Sequence, residues 1–148
     1  MSWIHVRGNP AAQGSHKYVG HRKGRAVLVE SSKRLPAWRI AVQDAALQHL
    51  TPIPAGVPVR VEIHFVMPRP KSLPKSRPTP PAVKRIGDLD KLCRAILDGL
   101  DGPAYADDSQ VTVLVADKRI AEPGEEPGAR INVEALEPPT PTQCAGTP

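Results

Sequence analysis

The chain has 148 residues and a formal net charge of +5, a length that suits one domain able to bury about 70% of its unfolded surface without staples. Two cysteines, Cys93 and Cys144, are too few for a disulfide framework. No run approaches 18 apolar residues and the first ten lack the apolar core of a signal peptide, so a soluble protein of a reducing compartment is expected.

Residues 2–7 alternate weakly and predict a short strand. Residues 8–24, rich in Gly, His and basic side chains, read as a loop, and the β-prone run 26–30 as a second strand. Pro36 suits a first helical turn. Trp38, Ala41, Val42, Ala45 and His49 or Leu50 then recur at helical spacing, predicting a helix over 36–50. Residues 57–67 give the clearest strand: Val57, Val59, Val61, Ile63, Phe65 and Met67 fall on one face, Arg60, Glu62 and His64 on the other.

Residues 68–85 hold six prolines, six Lys or Arg and no acid. Proline excludes helix and central strand here, so an extended basic loop is expected. Leu89, Leu92, Cys93, Ile96, Leu97 and Leu100 mark one stripe of an amphipathic helix, with Asp90, Arg94 and Asp98 opposite and Gly99 and Gly102 at its end. Cys93 belongs to the apolar stripe and reads as core packing. Residues 110–116, nearly all apolar and β-branched, predict an interior strand. Residues 129–136 alternate as a last strand, and the Pro-rich tail 137–148 reads as disordered. The expected fold class is α+β, a mixed sheet of about five strands carrying two main helices in a single domain over 1–136.

The charge is divided. Residues 1–87 carry 15 Lys or Arg against 3 acids, residues 88–148 carry 5 against 12, and nothing acidic occurs from 1 to 29 or from 63 to 87. That asymmetry suits a polyanion-binding half joined to an acidic half.

The acids are grouped. Asp88 and Asp90 stand where the basic loop enters the second helix, Asp107 and Asp108 where the chain enters the next strand. Spacing leaves open whether the pairs meet. Asp88 or Asp90 also suits a helix cap, and Asp107 and Asp108–Ser109 suit turn chemistry. Two like charges 4 Å apart cost about 1 kcal/mol in water and about 4 kcal/mol at an effective dielectric of 20. Four carboxylates brought together therefore demand a proton or a cation. An all-oxygen set without His or Cys selects Mg²⁺ or Mn²⁺, which can activate water and neutralise a phosphoryl group. Arg94 lies one turn beyond Asp90 on the same face, beside the N-terminal Lys91, and either can meet a phosphate.

The stretch 87–111, GDLDKLCRAILDGLDGPAYADDSQV, resembles the signature of the RusA family of Holliday-junction endonucleases. That signature runs Asp-x-Asp-Asn-Leu, a basic residue one helical turn on, Leu-Asp-x-Leu, a short turn, then Asp-Asp-x-Gln-Val. Residues 59–71 and Gly8–Asn9–Pro10 resemble the flanking elements, so the likeness spans about residues 4 to 135.

The resemblance implies a homodimer that binds four-way DNA junctions and nicks paired strands symmetrically with Mg²⁺, Mn²⁺ being a substitute. It implies metal-binding carboxylates at Asp88, Asp90 and Asp108, with Asp107 assisting, and a structural role for Asp98. Arg94 stands at the family's catalytic lysine and Lys91 at its usual Asn, so Arg94 and Lys91 are the candidates for stabilising the phosphate. An Arg keeps the charge but not a readily donated proton. The segment 11–17, AAQGSHK, is less basic than the family's usual start. Arg69, Lys71, Lys75, Arg77, Lys84 and Arg85 are expected to track DNA phosphates. Two other readings share these residues: a branched-DNA-binding protein without turnover, and a nuclease for other branched DNA. A cytoplasmic, nucleoid-associated place and a phage or prophage origin agree with the resemblance.

Overall fold

The structure, a computed structural model, describes residues 3–14, 16–22, 25–30, 33–83 and 86–137. Four strands form the main sheet: β1 (Trp3–Arg7), β4 (Val59–Met67), β5 (Val111–Ile120) and β6 (Gly128–Ala135), in the order β1-β6-β4-β5. β4 runs parallel to β5 and antiparallel to β6, and β1 is antiparallel to β6. β2 (His16–Arg22) and β3 (Arg25–Glu30) form a separate two-stranded sheet. α1 (Leu35–His49) and α2 (Leu89–Leu100) pack together, and α2 is the crossover between the parallel strands β4 and β5.

Two expectations change. The main sheet has four strands, not five, because the second expected strand left it to pair with β2, a strand inside the segment read as loop. The Gly- and His-broken sequence of β2 conceals it, since its partner is local and asks for no apolar alternation. The strand expected to be interior is an edge strand, longer than its apolar run, with Val113, Leu114 and Val115 38%, 44% and 40% exposed. Among the described residues, nothing fully buries this part of its apolar run. Residues 84–85 of the basic loop and 138–148 of the tail lie outside the described residues.

The alternation of β4 decides the layering. Val59, Val61, Ile63, Phe65 and Met67 are buried, and in register with them Ile4, Val6, Ala129 and Ile131 line the same face. Against this face lie Trp38 and Val42 of α1 and Leu92, Ile96 and Leu100 of α2. The opposite face carries Trp3, Arg60, Glu62, His64, Arg130 and Asp117. His64 sits between Glu62 at 2.7 Å and Asp117 of β5 at 2.9 Å, and Trp3 stacks on its ring. With a carboxylate at each ring nitrogen, both nitrogens donate only as the imidazolium. The hydrogen bonds that His64 donates to Asp117 and Glu62 accordingly raise its pKa, and those that His64 and Arg60 donate lower that of Glu62.

Gly99 is not the stop signal its identity suggested. It lies inside the last turn of α2, where an added Cβ would stand 2.9 Å from Val42 Cγ1. The two helices cross closely because this residue has no side chain. Gly87 precedes α2 with φ +111°, and its carbonyl accepts from Lys118 of β5. That contact fixes the N-terminus of α2 beside the far end of β5.

Candidate active-site cleft

A cleft of about 670 Å³ runs along α2 beside the inner face of β5. Leu89, Cys93 and Leu97 of α2 and Leu114 and Ala116 of β5 supply its apolar walls; Asp90, Arg94, Asp98 and Asp108 supply its polar ones. The predicted i+4 face of Asp90, Arg94 and Asp98 is thus the face that looks into the cleft. Cys93 is buried, and burial with the nearby Asp90 charge pushes its thiol up to about 11, leaving it the inert thiol expected.

At one end of the cleft three carboxylates converge. Asp101, Asp107 and Asp108 each offer an oxygen, and these oxygens lie within 4.8 Å of one another. Local structure explains the convergence. Asp107 caps a 3-10 turn, Asp108–Gln110, accepting from the Ser109 N–H at 2.9 Å, while Gln110 Oε1 accepts from the Asp107 N–H at 2.9 Å. Buried Gln110 also donates to the carbonyls of Pro54 and Val57, at 2.8 and 3.0 Å. That ties the acidic turn to the loop before β4. Asp101 ends α2 and bridges to Tyr105, a buried side chain whose hydroxyl donates to Leu97 O at 2.8 Å.

The Asp107 carboxyl is held low by the Ser109 backbone hydrogen bond, and the Asp108 carboxyl is raised, first by Asp107 and also by Asp101 and Asp98. Asp98 in turn accepts from Gln13 Nε2, and Gln13 accepts from Arg39 Nε at 3.1 Å.

The other expected acids stand apart. Asp90 faces the cleft but lies eight residues before Asp98, about 12 Å along the helix at 1.5 Å per residue. Asp88 flanks the helix at 70% side-chain exposure and pairs with Lys91 at 3.4 Å. One protomer therefore brings Asp107 and Asp108 together with Asp101, Asp98 nearby, and leaves Asp88, Asp90 and Lys91 at the opposite end of α2. The reason is the crossover: a helix joining parallel strands runs antiparallel to them, so its start and the start of β5 lie at opposite ends.

Asp101 and Gln110 were missed as site residues. Asp101 carried no signal beyond its place after the helix. Gln110 was visible within Asp-Asp-x-Gln-Val, but its role depends on carbonyls more than 50 residues away.

Arg69 is spent within the protein. Its guanidinium donates to Thr79 Oγ1, Ala121 O, Pro74 O and Arg77 O, shaping the loop that follows β4. Lys71, Lys75 and Arg77 remain exposed on that loop, and Lys84 and Arg85 lie outside the described residues.

The family model described as endodeoxyribonuclease RusA matches residues 7–134. The chain belongs to the RusA family of endodeoxyribonucleases. No curated protein matches the sequence. Among the described residues no helix is long and apolar enough to cross a membrane.

Proposed function

We propose that the chain is a divalent-metal-dependent endonuclease that resolves four-way DNA junctions by paired symmetric nicks, acting as a homodimer in the cytoplasm. The observation that carries this reading is the convergence of Asp101, Asp107 and Asp108 at the end of a cleft, in a chain of an endodeoxyribonuclease family. The donor set fits the cation the family implies. All donors are hard carboxylate oxygens without His or Cys, the set that Mg²⁺ takes at about 2.1 Å and Mn²⁺ accepts. Crowding already raises the Asp108 carboxyl, an anionic strain that a bound cation relieves.

Asp107, Asp108 and Asp101 would hold the ion, whereas Asp88 and Asp90, at the other end of α2, lie too far along the helix to join them in the same protomer. Bound there, the ion supplies an activated water and neutralises charge on a phosphodiester. Arg94 on the cleft wall stabilises the phosphate as a fixed charge, because a guanidinium does not give up its proton. Lys91, beside Asp88 at the entrance of α2, meets a flanking phosphate. Lys71, Lys75 and Arg77, with Lys84 and Arg85, follow the DNA backbone, while Arg69 holds their loop in shape. Each phosphate so neutralised steepens the salt dependence of binding by about 0.9 in the log–log slope.

The test is cleavage of a synthetic four-way junction in Mg²⁺ beside a linear duplex and a flap, with an Asp108→Asn variant. Paired nicks in the junction that vanish in the variant support the reading. Tight junction binding without nicks in Mg²⁺ or Mn²⁺ overturns the enzyme assignment. Equal cleavage of the flap overturns the junction selectivity.

A further inference from the structure

The cleft face of α2 carries Asp90, Arg94 and Asp98, each one helical turn from the next. Side chains four apart on a helix are neighbours, and an Arg flanked by two acids ordinarily pairs with one of them. Arg94 does not. Among the described residues no carboxylate pairs with it, although both acids line the same cleft.

Asp98 is engaged elsewhere. Its carboxylate accepts from Gln13 Nε2, and Gln13 Oε1 accepts from Arg39 Nε of α1 at 3.1 Å. Arg39 Nη2 stands 4.0 Å from the same Asp98 oxygen, so the amide completes a connection that the two charges barely make by themselves. The backbone places Gln13 there, because its N–H donates to Lys91 O at 3.0 Å. The segment between β1 and β2 is therefore anchored to α2 at Lys91 and at Asp98, and Arg94 lies between the two anchors. Gly14 follows with φ +93°, a conformation suited to glycine. An added Cβ at Gly14 would stand 3.4 Å from Arg94 Nη1, so the segment passes close to the guanidinium and leaves it room.

The chemistry of position 13 is selective. A bridge from a guanidinium to a carboxylate needs an acceptor at one end and a donor at the other. The Gln amide has both. A carboxylate there accepts from Arg39 but has nothing to donate to Asp98, and a cation donates to Asp98 but repels Arg39.

We propose that Gln13 is a positioning residue: by tying Asp98 to Arg39 it keeps Asp98 from pairing with Arg94, and the Arg94 guanidinium stays uncompensated in the cleft for a phosphodiester. A guanidinium already in contact with a carboxylate has fewer N–H groups and less net charge to offer a phosphate. Gln13 acts through the acid that it withdraws and not by touching the phosphate. The benefit to phosphate chemistry rests on the nuclease reading above; the contest for Asp98 does not.

The test exchanges donor and acceptor. Gln13→Glu keeps the side-chain length and the contact with Arg39 but releases Asp98. Single-turnover nicking of a four-way junction in Mg²⁺ should slow about fivefold, the upper end of what one exposed ion pair supplies. In the double variant Gln13→Glu/Asp98→Asn, whose net charge equals that of the wild type, the bridge is rebuilt in reverse, with the amide donating from position 98. On top of Asp98→Asn, Gln13→Glu should therefore cost less than about twofold. A second readout needs no cleavage. The Arg94 Nε–H resonance, identified by its absence from Arg94→Lys, should exchange with solvent about fivefold more slowly in Gln13→Glu and return to the wild-type rate in the double variant.

An equal loss of nicking with and without Asp98→Asn overturns the proposal, as does an Arg94 Nε–H that Gln13→Glu leaves unmoved. If Gln13→Glu loses its fold, with or without Asp98→Asn, the bridge supports the fold and not Arg94, and the proposal fails. A wild-type chain that does not nick sinks the nuclease reading alone, and the exchange rates then decide the role of Gln13.

Discussion

The two ends of α2 carry the same residue type in different settings. At the N-terminus Asp88 and Asp90 stand in solvent, Asp88 held only by an exposed pair with Lys91. At the C-terminus Asp98, Asp101, Asp107 and Asp108 crowd together, and hydrogen bonds from Gln13, Ser109 and the buried Gln110 fix the elements that carry them. A carboxylate group becomes a built site when neighbouring elements constrain it, and among the described residues the acids are brought together at only one end of this helix.

The largest effect should come from the constrained end. Asp108→Asn should lower junction nicking by at least about 100-fold, and Asp101→Asn by about tenfold with weaker Mn²⁺ affinity, measured by single-turnover cleavage and titration. If Asp101→Asn leaves both unchanged, the C-terminal cluster is not the metal-binding half assigned to it.

Next comes the seat of that end. Gly99→Ala drives a methyl against Val42, and overpacking of this kind costs about 1–3 kcal/mol, read as a lower urea midpoint. An unchanged midpoint would mean that α1 yields without loss and that the close crossing does not hold α2.

The far end of β5 is clamped by His64 between Glu62 and Asp117. The His64 pKa is raised, so its contribution is fully present below the unfolded value near 6.5 and is lost as pH rises through the folded value. Glu62 is lowered, so its contribution is present above its unfolded value near 4.5 and is lost as pH falls through the folded one. His64→Ala should therefore cost about 1 kcal/mol near pH 6 and less near pH 9, discounted because the ring is one-third exposed. A penalty independent of pH would show that the imidazolium pairing contributes nothing.

The smallest effect on folding belongs to the exposed end. Asp88→Asn removes a solvent-facing ion pair worth about 0–1 kcal/mol, so its denaturation midpoint should barely move. Should it unfold the protein instead, Asp88 is a cap and not a free ligand.

Much of this was legible in order along the chain. Both helices and the strand β4 follow from apolar spacing, because each meets a continuous apolar layer that imposes its period on the sequence. β2 was not legible, since a hairpin outside the main sheet need not alternate. β5 was misplaced for a related reason: an apolar, β-branched run suits an edge strand as well as an interior one, and only the pairing order tells them apart. The acids were visible as two pairs, but the path of a crossover helix, which decides which pair meets which, is a property of topology. Asp101 and Gln110 gained their roles from turns and distant carbonyls that no local spacing reports.

The loop after β4 has a consequence for the energetics of binding. Its Arg69 draws four oxygens, three of them backbone carbonyls, onto one guanidinium, so Lys71, Lys75 and Arg77 are displayed on a strut that is already shaped. Fixing a backbone residue costs about 1–2 kcal/mol of conformational entropy. On the proposed DNA-binding reading, folding meets that cost before DNA arrives, so affinity is not eroded by ordering the arm at the moment of contact. One half-buried cation, kept out of the proposed DNA-contacting set, would thereby make the remaining cations more effective.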